Sequence, residues 1–251
     1  MTLPPPQPTS VILPHLLPVT LDPSSSVRRQ LLKLFRALPE HDIPDHVGQI
    51  LPYVRAGMTH LAADVRVSAV EILSWLLGGS SAAADEMVSC PGGWVKTLNC
   101  FLSVLGWHTE ESAKWSASRG SFGKAAAAAG GGTGTGTGIA TVRVLAALAA
   151  FLHAGLDCPD TGGSDVDPED DDGGRNPHWI PQSATPYAYL NLFGQPRDQD
   201  GEMYETSEDR RRVFANRFQA AVQRGLENAR REGGEIGRAA AVKNFPLIIY
   251  S

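Results

Sequence analysis

Little in this sequence could staple, anchor or secrete a fold. Its 251 residues hold three cysteines, Cys90, Cys100 and Cys158, an odd number without a C-x-x-C spacing. Neither a disulfide framework nor a zinc knuckle is indicated, and a reducing compartment is expected. The start, Met1-Thr-Leu-Pro-Pro-Pro, lacks a basic segment and its prolines interrupt the apolar stretch, so no secretory signal is expected. Long uncharged apolar runs are also missing. The most apolar stretch, Ile139 to Leu156, contains Arg143 and His153, and an arginine within a bilayer costs about 2.5 to 3.5 kcal/mol. It reads as a buried helix, and no membrane partner is expected. Basic charge is not in excess either: 22 Lys+Arg against 27 Asp+Glu give a net charge of −5, which argues against a simple nucleic-acid coat. Aromatics are modest at 7%.

What is present is enough for a folded chain. Hydrophobic content of 42% with 20% charged residues is ordinary for a globular protein, and 26 glycines with 18 prolines point to long loops. An internal repeat decides the architecture. Leu13-Pro14 recurs as Leu51-Pro52, Val27-Arg28 as Val65-Arg66, and Leu38 as Leu76, all offset by 38 residues. The second half of each copy carries a helical stripe: Val27, Leu31, Leu34, Phe35 and Leu38, then Val65, Ala69, Ile72, Leu73 and Leu76. Ser26 and Asp64 stand where N-caps are expected. The first halves, Val11 to Thr20 and Val47 to His60, are shorter apolar segments. Each copy therefore reads as a helix, a turn and a second helix.

A third copy appears once an insertion is allowed. Trp94 to Leu105 reads as its first helix, and Thr141-Val142-Arg143 with Leu145, Leu148, Phe151 and Leu152 as its second. Between them lies an Ala/Gly-rich insertion, about residues 107–138, of flexible-linker composition. The repeats support an all-α, HEAT/armadillo-like α-solenoid over residues 10–156. An acidic loop follows at 157–175, with eight acids and no Lys or Arg between Asp157 and Asp172. Next comes an extended segment, 176–205, rich in proline and aromatics and suited to docking in a groove. A C-terminal Arg-rich helix, 206–233, is expected from a cap near Thr206 to Gly233-Gly234, with Phe214, Phe218, Val222 and Leu226 on one face. The net charge of −5 is thus the sum of an acidic loop and a mildly basic remainder.

No constellation nominates a catalytic centre, a metal site, a cofactor or a small-molecule substrate. The Gly/Thr tract cannot be written as a phosphate loop. Ser121 and Lys124 match S-x-x-K without the companion motifs. His41, Asp42, Asp45 and His46 read as a solvated turn, and the acidic run lacks the glycine and terminal glutamate of a calcium loop. Two arginine sets are more informative. Arg28, Arg66 and Arg143 recur in a first helical turn, where the helix dipole disfavours cations. They are expected to form a structural ladder with carboxylates such as Asp22 or Asp64. Arg210, Arg211, Arg212, Arg217, Arg224, Arg230 and Arg231 have two readings, a solvated amphipathic helix or a surface for RNA phosphate or an acidic partner.

Three stretches, Leu51 to Leu77, Val88 to Trp107 and Tyr187 to Gly194 with the Arg-rich helix after it, resemble the fungal pre-rRNA-processing proteins of the Ipi-one/Tex-ten family. The similarity spans about Leu13 to Ala241. It implies a non-enzymatic nuclear scaffold, nucleolar and nucleoplasmic, in the Rix complex. That assembly acts on precursors of the large ribosomal subunit and supports removal of the second internal transcribed spacer. The implied partners are a Rix/Pelp-type helical-repeat subunit, a WD-repeat propeller subunit, the pre-60S particle and the midasin ATPase, with a pre-rRNA contact as the alternative role of the basic helix. Partner binding is expected at Trp179, Tyr187, Tyr189, Leu190 and Phe193. The family usually carries a lysine-rich segment and a further repeat before the position of Leu13, so this chain is expected to be a shortened form.

Overall fold

The computed structural model describes residues 8–109, 135–156 and 198–241, and among them there is no strand. The helices are α1 (Thr9–Leu16), α2 (Ser25–Phe35), α3 (Val47–Met58), α4 (Ala63–Gly78), α5 (Ser81–Ser89), α6 (Gly93–Leu105), α7 (Thr135–Leu156), α8 (Ser207–Arg217), α9 (Gln219–Glu232) and α10 (Gly234–Ala241). Short 3-10 turns at Leu17–Leu21, Glu40–Asp42, Pro44–His46 and Gln199–Gly201 join them. The chain is all-α over these residues.

The 38-residue recurrence corresponds to two helix pairs, α1 with α2 and α3 with α4. Leu13, Leu51, Leu38 and Leu76 are all buried. The stripe expected on α4 is buried without exception, as are Leu145, Leu148, Phe151 and Leu152 on α7. On α2 the buried face is rotated. Val27 and Leu34 are 40% and 42% exposed, whereas Arg28 is 1% exposed and lies in the core with Leu31, Leu32 and Phe35. An apolar stripe alone cannot place an arginine inside; Arg28 is inside because the neighbouring helix supplies its hydrogen-bond partners.

Several boundaries shift. Helices α2 and α4 begin at Ser25 and Ala63, so Ser26 and Asp64 lie within the first turn rather than at the cap. Helix α5 has no counterpart in the repeat. Its Ser80 hydroxyl accepts the Ala83 amide at 3.2 Å, so its start is signalled only by that cap. The insertion is shorter than expected at both ends. Trp107 packs against the core, and α7 already begins at Thr135 inside the Gly/Thr tract. The Arg-rich helix is broken: Thr206 caps α8 by accepting the Asp209 amide at 3.1 Å, but α8 ends at Arg217, and its C-cap Phe218 has φ −116 and is buried. Helix α9 follows, and α10 extends the helical region past Gly233-Gly234.

One apolar core joins the N-terminal pairs to the C-terminal helices. Helix α7 is its centre, packing against α4, α5, α6, α8 and α10. Trp94 of α6 is fully buried, stacked on Phe151 of α7 at 5.1 Å and tilted against Phe214 of α8 at 6.4 Å. Two glycines allow this. A Cβ on Gly155 would lie 2.2 Å from the Trp94 ring, and one on Gly225 would lie 2.1 Å from Trp107. Among the described residues no single helix is long and apolar enough to cross a membrane.

Candidate interaction surfaces

The recurring arginines are not equivalent. Arg28 donates from Nη2 to Asp64 Oδ2 at 2.6 Å, from Nε to Ser68 Oγ at 3.0 Å, and from Nη1 to the Asp22 carbonyl. This guanidinium ties α2, the turn before it and α4 together. Its hydrogen bond is the main cause holding the Asp64 carboxyl below its ordinary range. Arg143 of α7 pairs with Glu71 of α4. Among the described residues Arg66 meets no carboxylate; it donates to the His60 and Leu61 carbonyls at 2.9 and 2.8 Å and closes the α3–α4 turn. That turn presents Leu61, 95% exposed.

The C-terminal arginines are largely engaged within the chain. Arg210 is 4% exposed and cannot serve as a surface contact. Its Nε donates to the Gly155 carbonyl at 2.8 Å, and its Nη1 to the Tyr204 and Glu205 carbonyls, each at 2.7 Å. Its own carbonyl accepts Trp94 Nε1 at 3.2 Å. A buried guanidinium is tolerable here because carbonyl oxygens surround its donors. Arg211 donates to Leu156, the last residue of α7, at 2.9 Å. Arg217 pairs with Asp200 at 2.9 Å, and Arg212 with Asp209. Arg224 donates to the Ala220 carbonyl at 3.2 Å, and Arg230 to that of Ala240 at 3.1 Å. Arg231 faces Glu227 at 3.9 Å.

The expected docking residues Trp179, Tyr187, Tyr189, Leu190 and Phe193 lie outside the described residues, as do the acidic loop and the Ser121-Lys124 pair. The end of that segment is described. Asp198 pairs with Lys96 of α6 at 3.2 Å, and the Gly92 amide donates to the Glu202 carbonyl at 2.9 Å. The Lys96 hydrogen bond lowers the Asp198 carboxyl. Tyr204 is buried. The end of the 176–205 stretch is therefore fastened to α6 before α8 begins. Among the described residues no three His, Cys, Asp or Glu side chains are grouped to hold a metal. His41 and Asp42 approach at 3.2 Å, but Asp42 also accepts the Thr9 hydroxyl at 2.6 Å.

Arg210 was legible in the sequence only as one member of an arginine cluster. Its role depends on Gly155, 55 residues away, which no local pattern signals. Burial pushes the Cys100 thiol up to about 11 and raises that of Cys90 as well. Neither is poised as a nucleophile.

Residues 41–152 match a family model described as a Rix1 complex component involved in 60S ribosome maturation. The chain is 62% identical over 246 residues to the pre-rRNA-processing protein ipi1 of Neosartorya fischeri, covering 94% of this chain and 68% of the relative. It has the same identity over the same length to the protein of that name from Aspergillus fumigatus, again covering 94% of this chain and 68% of the relative. To the one from Chaetomium thermophilum it is 43% identical over 240 residues, covering 94% of this chain and 67% of the relative.

Proposed function

The chain belongs to the Ipi1 family of Rix1-complex components, and from that footing we propose that it is a non-catalytic scaffold subunit in maturation of the large ribosomal subunit. The observation that carries this reading is identity of 62% across 94% of the chain to a pre-rRNA-processing protein. The work it supports is pre-rRNA processing at the second internal transcribed spacer, in the nucleolus and nucleoplasm. Its partners are a Rix/Pelp-type helical-repeat subunit, a WD-repeat propeller subunit, and, on the pre-60S particle, the midasin ATPase.

In this proposal the helices of residues 10–156 form a HEAT/armadillo-like solenoid whose stacked pairs offer an extended surface. Residues 176–205 dock a partner through Trp179, Tyr187, Tyr189, Leu190 and Phe193. The anchoring of Asp198 on Lys96 and of Glu202 on Gly92 supports this, because a segment tethered to a folded body loses less entropy when it binds.

The experiment is a pull-down in which residues 176–196 are replaced by a Gly/Ser linker of equal length. Residues 198–241 must be kept, since Phe214 and Phe218 belong to the core. Loss of the Rix-type subunit is expected; full recovery of that subunit would reject the docking assignment.

A further inference from the structure

Helix α2 and its C-cap turn Arg29, Lys33 and Arg36 to solvent, four and then three residues apart and so on one helical face. With a rise of about 1.5 Å per residue they form a row on the order of 10 Å long. They border an open groove of about 880 Å³, walled by α2, the C-terminal half of α4 and Arg143 of α7. Trp75 also lines it, half-buried, with its ring stacked on Phe35 at 5.4 Å and 17°. The groove carries two carboxylates against four cations, Glu40 and Glu71, and Glu71 is taken by Arg143. Among the described residues Lys33 and Arg36 meet no carboxylate. In that they differ from Arg210, Arg212 and Arg217 at the other end of the chain, whose donors are engaged internally.

We propose that this groove binds a single-stranded segment of RNA, with backbone phosphates on Arg29, Lys33 and Arg36 and a base against Trp75. A row of cations beside an aromatic plane is the arrangement that single strands use, charge tracking the backbone and the ring taking a base. An acidic peptide would satisfy the cations and leave the indole without a role. The groove shares no residue with the 176–205 segment, so a failure of either assignment leaves the other standing.

The test is fluorescence anisotropy of the purified full chain with a labelled oligouridine of about 12 nucleotides, titrated at several salt concentrations. Binding should weaken linearly on a log–log plot. A variant carrying Arg29→Gln, Lys33→Gln and Arg36→Gln, all at exposed positions, should bind at least about tenfold more weakly at low salt, with a slope shallower by about 2. Trp75→Leu should bind about tenfold more weakly with little change of slope. If it unfolds, the triple variant decides alone. Absence of binding at low salt, or a triple variant that binds like the parent, overturns the proposal. So does loss of binding in Arg224→Gln/Arg231→Gln instead, which moves the contact to α9. Displacement of the RNA by polyglutamate of equal charge at the same or lower concentration overturns it in favour of an acidic protein segment.

Discussion

Arg28 and Asp64 stand 36 residues apart and meet at 2.6 Å, the guanidinium fully buried and the carboxylate 57% exposed. The asymmetry decides what each substitution does. The carboxylate keeps water on one side, so its desolvation is slight, while the arginine depends on its protein partners. Asp64→Asn removes the charge opposite a buried cation and should lower the urea midpoint. An unchanged midpoint would show that Ser68 and the Asp22 carbonyl suffice.

The same pair sets part of the acid limit. Arg28 lowers the Asp64 carboxyl and Lys96 lowers that of Asp198. A carboxylate lowered in the folded state stabilises it above the unfolded-state value and loses that contribution as pH falls through the folded one. Thermal stability should therefore be flat on this account from neutrality down to about pH 5, then decline below about pH 4. The decline should be shallower in Asp64→Asn. Identical acid limbs for parent and variant would argue that the pair carries no linkage.

Gly155 is a second sensitive point. A methyl there would lie 2.2 Å from the Trp94 ring, and the ring is held by Phe151 and Phe214. Gly155→Ala should cost about 1–3 kcal/mol or more, although alanine favours helices elsewhere. Combined with Trp94→Leu, the two losses should sum to less than their separate values in a double-mutant cycle. Additivity would mean that the helices move apart instead.

Arg210→Lys keeps the charge but loses the fork. One ammonium cannot replace Nε toward Gly155 and Nη1 toward Tyr204 and Glu205, since its three donors radiate from a single atom. A loss of at least about 2 kcal/mol is expected, read as a lower urea midpoint. Hydrogen exchange should quicken in residues 198–205, the stretch that Arg210 holds. Slow exchange there would assign the anchoring to Lys96 and Arg217.

Cys100, held at about 11 by burial, should be alkylated on the order of a hundredfold more slowly than a free cysteine at mildly alkaline pH. Peptide mapping after a short iodoacetamide pulse reads this. Rapid labelling would mean that α6 opens on the timescale of the reaction.

The repeat offset placed α1 to α4 correctly because Leu13, Leu51, Leu38 and Leu76 are governed by burial alone, and burial leaves a period in the sequence. On α2 and just beyond its end Leu31, Phe35 and Leu38 are buried as expected, but Val27 and Leu34 are not, for the opposite reason. Val27 looked apolar and Arg28 polar, yet Asp64 and Ser68 on another helix reverse their places. The break at Phe218 has neither glycine nor proline to mark it. The groove cations Arg29, Lys33 and Arg36 are spaced like any solvated helix face and gain meaning only beside Trp75.

By itself the sequence determined the all-α class of the described residues, the 38-residue repeat and the family, because helical periodicity and long shared motifs are local or linear properties. Tertiary structure alone decided which arginines are inside, which are engaged and which line a groove. A guanidinium is burdensome or useful according to the oxygens within about 3 Å of it, and those oxygens come from residues as far as 72 positions away, as Glu71 is from Arg143.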